Sequence, residues 1–336
     1  MTTQPVKTSL SMLDLVAVRE GGSVSDAIAI SLQTAQHVER LGFSRYWLAE
    51  HHNMPGLACS ATAILVAHIA AGTRQMRVGA GGIMLPNHAP LVVAEAFGTL
   101  AALYPGRIDL GLGRAPGTDP VTMRALRRNR VETEEDFPRE VAELQRLLGP
   151  VQPGQQLIAS PGAGSQVPIW LLGSSLFSAR LAAARGLPYA FASHFAPRQL
   201  LDAVALYRSQ FVAAQPGDRP RVIVGVPLVA ADTDAEAQLL ASSVFQRVSG
   251  IVRGERRPLQ APVAGFLEGR PANELAAIQQ FLAMAVIGGP QKVAQEFLQI
   301  VDMTQADELM LVCDIFDPVR RLQALDIAAS VMQALP

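Results

Sequence analysis

The chain has 336 residues, of which 49% are hydrophobic and 17% are charged, and its net charge at pH 7 is −1. Its length allows two average domains or one large α/β barrel. The near-zero net charge argues against nucleic acid or an anionic membrane as the main partner, because neither would find an attractive field. The longest apolar stretch (57–72) is too short to cross a bilayer, and residues 1–8 lack the pattern of a signal peptide. We therefore expect a cytoplasmic protein.

Apolar alternation and short apolar runs predict eight strands along the chain. They fall at 9–18, 45–50, 76–80, 107–112, 167–172, 188–193, 221–231 and 308–313. Helical patterns separate them, among them long helices at 233–252, 273–287 and 290–301. The charged stretch 124–135 is typical of a solvated helical face, and the Pro- and Gly-rich stretch 149–166 is expected to form a loop or short hairpin over the barrel mouth.

Strand and helix alternate eight times without a composition break that would mark a linker. Such alternation requires parallel strands joined by helical crossovers. Eight units in a chain of this length favour a closed (β/α)8 TIM barrel over an open doubly wound sheet. We predict one domain, 1–336, interrupted by an irregular basic segment at 253–270.

Chemistry-bearing residues gather at the predicted strand ends, where the site of such a barrel lies. They are Glu50-His51-His52, Gly81-Gly82, Gly113-Arg114, Gly173-Ser174-Ser175 and His194. A single histidine is more often structural than catalytic. The coincidence of five such positions carries more weight than any one of them.

A metal site has little support in the sequence. His51 and His52 point to opposite faces of an extended chain and cannot easily share an ion. No His-Glu-x-x-His or Cys-x-x-Cys spacing is present, and Cys59 and Cys313 suit neither a zinc site nor a disulfide framework. Ligands converging from separate strands stay possible, but nothing in the sequence requires a metal.

A phosphate site has more support. Gly173-Ser174-Ser175 opens a helix, where free backbone N–H groups and the helix dipole attract an anion. Ser174, Ser175 and Ser178 add hydroxyl donors, and Arg114 could add a forked cationic contact. The alternative is an ordinary serine-capped helix start.

The expected ligand is a mononucleotide with a flat ring. The dinucleotide fingerprint does not fit 111–117, and no P-loop lysine is present. Gly81-Gly82 removes two side chains where a strand should end, which indicates an unusual backbone or a flat object lying against the chain. We place the phosphate near Ser174 and Arg114 and the ring against the two glycines.

Five motifs resemble those of the bacterial luciferase-like flavin-dependent monooxygenases, and most closely the single-chain YhbW-type oxidoreductases. They are Trp47-Leu-Ala-Glu-His-His52, the stretch 79–90, Tyr104-Pro-Gly-Arg through Gly117, Trp170-Leu-Leu-Gly-Ser-Ser175 and Ala190-Phe-Ala-Ser-His-Phe195. The resemblance extends over nearly the whole chain and is weakest at 253–270. As a set these motifs are highly specific.

The resemblance implies a TIM barrel that holds FMN at the C-terminal ends of its strands. Arg114 corresponds to the family's phosphate-binding arginine, and Gly173, Ser174 and Ser175 to its phosphate loop. Gly81-Gly82 corresponds to a non-proline cis peptide that supports the flavin ring. His51 corresponds to the active-site histidine, which implies proton handling. Ser178 and His194 complete the expected cofactor-binding set.

The family's chemistry implies that reduced FMN and O2 form a flavin peroxide, which oxygenates a small, largely apolar substrate. No nicotinamide motif is visible, so we expect a separate NAD(P)H:flavin reductase, and by analogy a homodimer. Two alternatives stay open: a deazaflavin-dependent hydride-transfer enzyme, and a flavin-binding protein without turnover.

Two departures from the family pattern put the substrate in doubt. Cys313-Asp314 replaces residues that are commonly Thr, Asn or Gly, and Cys313 is interpreted as a small apolar barrel residue. A lid-like insertion at about 253–273 has its own composition.

Overall fold

A computed structural model describes residues 8–114, 119–126 and 135–335 of the chain. Nine strands are present in these residues, all joined by parallel pairing. The strands are β1 (Ser9–Asp14), β2 (Arg45–Leu48), β3 (Arg77–Met84), β4 (Ile108–Gly113), β5 (Ile169–Gly173), β6 (Tyr189–Phe191), β7 (Val222–Ala230), β8 (Val286–Gly288) and β9 (Glu308–Val312).

Eight of these strands close into a barrel. The strands β1 to β7 pair in chain order, β7 then pairs with β9, and β9 pairs with β1. The eight strand positions predicted from the sequence are those of the barrel, so the predicted (β/α)8 TIM barrel is confirmed. The ninth strand, β8, pairs with the end of β7 outside the closed ring.

Helices connect the strands and cover the barrel. They are α1 (Val24–Arg40), α2 (Thr62–Gly72), α3 (Pro90–Leu103), α4 (Pro120–Leu126), α5 (Asp136–Leu148), α6 (Leu176–Ala184), α7 (Leu200–Ser209), α8 (Asp234–Val252), α9 (Ala272–Phe281), α10 (Pro290–Thr304) and α11 (Pro318–Ala334). Local sequence sets their ends: a capping box between Ser23 and Asp26 begins α1, and Gly42, with φ 83°, follows its end. Over the described ranges, we find no helix that is both long enough and apolar enough to span a bilayer.

The bottom of the barrel is closed by paired charges, which we call the charged floor. Arg45 at the start of β2 contacts Asp109 of β4 at 2.6 Å and Glu308 of β9 at 2.7 Å. All three residues are less than 5% exposed. A buried charge is tolerated when a partner neutralises it, so these three strands supply one another's counter-ions.

Two of the predictions made from the sequence are wrong. The helix predicted at 273–287 ends at Phe281, and Val286–Gly288 forms β8, because a short apolar run suits either element and pairing with β7 decides it. The 149–166 loop does not cover the barrel mouth. It enters the N-terminal end of β5 and lies against α3, where a Cβ on Gly98 would be 2.2 Å from Gly162. Of the charged stretch 124–135, residues 127–134 lie outside the described residues.

Candidate active site

The Glu50 carboxylate lies just after β2 and joins three other groups. The residue is 1% exposed, and its Oε1 atom lies 2.8 Å from Nε2 of both His52 and His88. Its Oε2 atom accepts the Met84 backbone N–H at 3.2 Å. Burial raises the pKa of Glu50, but these hydrogen bonds outweigh burial and hold the pKa below its usual value. The ionised carboxylate thus ties the end of β2 to the end of β3.

The same three side chains have the composition of a metal site. The ligand atoms of Glu50, His52 and His88 lie within 4.8 Å of one another. No sequence motif indicates this grouping, because His88 comes from the loop after the next strand. Since one carboxylate oxygen contacts both imidazoles, the three residues satisfy one another as a hydrogen-bonded cluster.

His51 stands apart from this cluster and lines a cavity at the barrel mouth, where it is half-buried. The Cys59 thiol lies against the His51 backbone, and burial raises the pKa of this thiol to about 12. Burial raises the pKa of Cys313 to the same value. Both thiols are fully buried and stay protonated, which confirms that Cys313 is a small apolar barrel residue.

The Gly81–Gly82 peptide bond in β3 is cis, as the resemblance implied. The two glycines form a bulge, since β3 uses one residue more than β4 between Ala80 and Ile83. A Cβ on Gly81 would lie 2.8 Å from the Trp47 ring, and one on Gly82 would lie 2.7 Å from the Gly111 carbonyl oxygen. The barrel's own packing therefore requires both glycines, a reason that the sequence did not reveal.

Arg114, after β4, and the N-terminus of α6, after β5, lie side by side. The Arg114 guanidinium carbon is 4.3 Å from the centre of the Phe177 ring in the first turn of α6. Arg114 is exposed, and the N-cap residue of this helix, Ser175, makes no capping hydrogen bond with its side chain. A guanidinium and the donors of a helix start are thus available together, and this donor set fits a phosphate.

Ser178 has a different place from the one expected. Its hydroxyl is buried and donates to the Ser175 carbonyl oxygen at 2.9 Å. The Gly173 backbone lies directly against it, because a Cβ on Gly173 would be 2.1 Å from Ser178 Oγ. The hydroxyl proton is therefore used within the loop, and Ser178 supports Gly173-Ser174-Ser175 from below.

His194, after β6, lines the same cavity as His51. Its Nδ1 atom is buried and has no hydrogen-bond partner in the part of the chain that is described. Gly225 of β7 leaves room for the ring, since a Cβ there would be 2.3 Å from Nδ1. Burial lowers the pKa of His194 to about 4, although the nearby Asp314 carboxylate acts in the opposite direction. The imidazole is consequently neutral near pH 7.

The cavity itself has a volume of about 220 Å³ and opens at the carboxyl ends of β1, β2, β6, β7 and β9. We call it the apolar cavity. Its apolar wall includes Leu15, Met54, Leu57, Phe281, Leu282 and Ile287. Besides the two histidines, its polar side chains include Ser243 and Arg247 of α8 and Asp314 after β9. Such a wall with a few polar groups is typical of a site for a small organic molecule.

The irregular segment 253–271 lies over one edge of this cavity, and its residues 255–258 and 260 are part of the lining. Arg256 holds the segment down by donating to the Asn53 carbonyl oxygen at 2.7 Å and to Asp119 at 3.1 Å. Backbone hydrogen bonds of 2.8 Å join Leu259 to Val18 and Glu20. The loops after β1, β2 and β4 are thereby fastened to this segment.

The sequence matches the family described as luciferase-like monooxygenase over residues 9–306. The chain belongs to this family. A luciferase-like monooxygenase from Escherichia coli strain K12 is 45% identical over 327 residues, which cover 97% of this chain and 98% of the relative. The Bacillus subtilis protein YvbT is 49% identical over 325 residues, 96% of each chain.

Solved structures of similar proteins share the barrel fold. Apo-MsnO8 has a TM-score of 0.87 and 35% identity, covering 98% of this luciferase-like monooxygenase and 99% of that chain. The oxygenating constituent of a 3,6-diketocamphane monooxygenase from Pseudomonas putida, in complex with FMN, has a TM-score of 0.72 and 17% identity, covering 98% and 100%. An F420-dependent secondary alcohol dehydrogenase has a TM-score of 0.67 and 14% identity, covering 97% and 99%. The family and its named monooxygenases make this protein an oxidoreductase.

The predicted residues of this luciferase-like monooxygenase occupy two sides of the barrel mouth. The structure brings Arg114 to the start of α6, beside Gly173-Ser174-Ser175, and places Gly81-Gly82 on the strand next to β4. It places His51 and His194 on the other side, in the apolar cavity. Sequence reasoning missed Ser243 and Arg247, because a serine and an arginine within an amphipathic helix form no motif.

Proposed function

We propose that the protein is an FMN-dependent monooxygenase that uses reduced FMN and O2 to oxygenate a small, largely apolar organic substrate. The observation that carries this proposal is the pairing of two sites in one barrel mouth. An exposed guanidinium and a helix start form the first, and the apolar cavity is the second. FMN carries both a phosphate and a flat ring, so a ligand of this kind suits the first site and leaves the second for a substrate.

In this proposal Arg114 and the backbone N–H groups that follow Gly173 bind the phosphate of FMN. Ser178 keeps the loop in place through its hydrogen bond to Ser175. The backbone at Gly81-Gly82 supports the ring, its shape held by the contacts that a Cβ would break. When bound, reduced FMN supplies the electrons with which O2 is activated.

The two cavity histidines divide the proton chemistry. His51 takes up or delivers a proton at the reacting centre, since an imidazole changes its charge near neutral pH. His194 stays neutral because it is buried, and its unpartnered Nδ1 is ready for a hydrogen bond to a ligand. The 253–271 segment acts as a lid that excludes water from the cavity.

A deazaflavin is the second candidate cofactor. Two solved neighbours of this fold use F420, the alcohol dehydrogenase above and a tetrahydromethanopterin reductase from Methanopyrus kandleri, at 14% and 15% identity. The relatives at higher identity favour oxygenation: a Bacillus subtilis N-acetyl-S-alkylcysteine monooxygenase is 36% identical over 193 residues, 54% of this chain. The separate flavin reductase and the homodimer remain predictions.

Cofactor binding and reoxidation test the proposal together. The purified apoprotein is titrated with FMN, riboflavin and F420, and the dissociation constants are compared. We expect FMN to bind most tightly and riboflavin more weakly, because riboflavin lacks the phosphate. The FMN-loaded protein is then reduced chemically and mixed with O2. Tighter binding of F420 than of FMN would overturn the choice of cofactor.

The separate reductase is tested with NADH and NADPH. We expect the FMN-loaded protein alone to consume neither at a significant rate and to do so only when a flavin reductase is added. Rapid, substrate-dependent consumption by the purified protein would exclude the two-component arrangement.

A further inference from the structure

Helix α8 brings three polar side chains to the apolar cavity: Ser243, Arg247 and Gln246, of which Gln246 donates to the Ala261 carbonyl oxygen at 2.8 Å. Ser243 and Arg247 are four residues apart, so they lie one above the other on the same face of the helix. Both line the cavity, whose remaining wall is mainly apolar. No role in FMN binding falls to them, since the proposed phosphate site lies across the mouth at β4 and β5.

Arg247 has more donors than its protein partner uses. Its Nη1 atom lies 2.5 Å from Asp314 Oδ2, which holds the guanidinium in place. An arginine carries five N–H donors. In the described ranges, no further hydrogen bond of this side chain is present, and 22% of the side chain is exposed. The donors that remain are therefore available at the cavity.

Ser243 adds a second available group. The residue is 0% exposed, and its hydroxyl has no hydrogen-bond partner among the described residues. A buried hydroxyl without a partner is unfavourable, because it has lost water and gained nothing in return. A ligand oxygen in the cavity would remove that penalty.

We propose that Arg247 and Ser243 bind an acceptor oxygen, of a carboxylate or a carbonyl group, at one end of an otherwise apolar substrate. Asp314 positions the guanidinium for this contact. The inference rests on the proposed monooxygenase function and names its substrate class. The Arg247–Asp314 pair is neutral as a whole. At the cavity edge, Arg256 is paired with Asp119 and Arg257 with Glu255, each at 3.1 Å, so these charges favour neither a carbonyl nor a carboxylate.

Three probes with the same six-carbon chain test this inference by calorimetric titration of the FMN-loaded protein. Hexanoate carries an anionic acceptor, hexanamide a neutral acceptor, and hexylamine a cation. We expect the wild-type protein to bind hexanoate or hexanamide about tenfold more tightly than hexylamine. Tighter binding of hexanoate would indicate a carboxylate substrate, and tighter binding of hexanamide would indicate a carbonyl substrate.

The substitution Arg247→Met keeps an unbranched side chain, two atoms shorter than arginine, and removes every donor. We expect it to weaken hexanoate and hexanamide by about tenfold and to strengthen hexylamine, because Asp314 is left without its counter-ion. Arg247→Lys should keep the original preference with reduced affinity. Ser243→Ala should weaken the acceptor probes by a smaller factor.

Phe281→Leu is the matched control, since it trims the apolar wall and leaves Arg247 intact. It should reduce the affinities of hexanoate and hexanamide by the same factor. The proposal is overturned if wild type shows no preference for the acceptor probes, or if Arg247→Met weakens all three probes equally. FMN affinity is measured on the wild type and on every variant. If the wild type does not bind FMN, the cofactor assignment is wrong. If it binds FMN but shows no preference among the probes, only this inference is wrong.

Discussion

The two sides of the barrel mouth are built by different means. On the side of β3 to β5, the surface is formed mainly by backbone: two glycines in a bulge, a glycine-serine loop and a helix start. One exposed arginine side chain lies beside them. On the side of β7, β9 and α8, side chains from many separate elements form the apolar cavity. The first side is fixed by the barrel's packing, and the second can change one side chain at a time.

This difference separates a constant task from a variable one. A Cβ on Gly82 would collide with the Gly111 backbone, and one on Gly81 or Gly173 would collide with a packed side chain, so the β3 to β5 side tolerates little change. Apolar wall residues tolerate exchange among themselves as long as the volume is conserved. We therefore expect substitutions on the β3 to β5 side, which is the proposed cofactor side, to cost more than substitutions in the apolar cavity. The following predictions test that division, beginning with the largest effect.

Removing the imidazole of His51 should have the largest effect. We expect His51→Ala to slow the reoxidation of bound reduced FMN by O2 by about 100-fold, the usual loss when a general acid or base is removed. The measurement is stopped-flow absorbance after mixing with aerated buffer. His68→Ala is the control, since His68 is exposed on α2 and outside the cavity. An unchanged rate in His51→Ala would show that this residue does not handle the proton.

Removing the guanidinium at the phosphate site should be the next largest effect. We expect Arg114→Ala to weaken FMN by about 10- to 100-fold, since a charge-assisted hydrogen bond is lost. Riboflavin, which has no phosphate, should bind the variant and the wild type alike. Flavin fluorescence titration gives both constants, and Arg180→Ala, exposed on the same helix α6, serves as the control. An equal loss for riboflavin would place Arg114 at the ring and not at the phosphate.

Adding a methyl group should distinguish the two sides by stability. Gly81→Ala introduces a Cβ at 2.8 Å from Trp47, and we expect it to lower the free energy of unfolding by about 1–3 kcal/mol. Gly250 lines the apolar cavity, and a Cβ at this position would lie 3.7 Å or more from its nearest neighbours. We compare it through the substitution Gly250→Ala. This second variant should be as stable as wild type or more so, because alanine favours a helix over glycine. Thermal unfolding of the two variants gives the comparison, and equal losses would contradict the proposed rigidity of the β3 to β5 side.

The last prediction concerns the pH dependence of stability. The pKa of His194 is lowered by burial to about 4 in the folded protein, so between that value and its ordinary value of 6.5 the unfolded chain binds more protons. His194 therefore makes the protein less stable as pH falls through this window, by at most about 1.4 kcal/mol per pH unit. His194→Gln should flatten this slope relative to wild type, as measured by denaturant unfolding between pH 4 and 7. Parallel slopes would mean that His194 is not held neutral by burial.

Sequence reasoning succeeded where a feature follows from the order of the strands or from the family resemblance. The resemblance implied the Gly81–Gly82 cis bond, and Arg114 meets the start of α6 because consecutive parallel strands bring their carboxyl ends to one rim of the barrel. It failed where partners come from distant elements. Nothing in the local sequence links Arg247 to Asp314, and the strand at Val286–Gly288 exists because β7 is there to pair with it.

The charged floor determines where ligands can enter and leave the barrel. Arg45, Asp109 and Glu308 seal the lower end of the barrel, so within the described chain ligands arrive and depart by the upper rim. In the proposed function, cofactor and substrate therefore share one entrance, which the 253–271 segment covers in part. We therefore expect ligand exchange to follow a fixed order, in which the ligand nearer the rim must leave before the ligand beneath it can be exchanged.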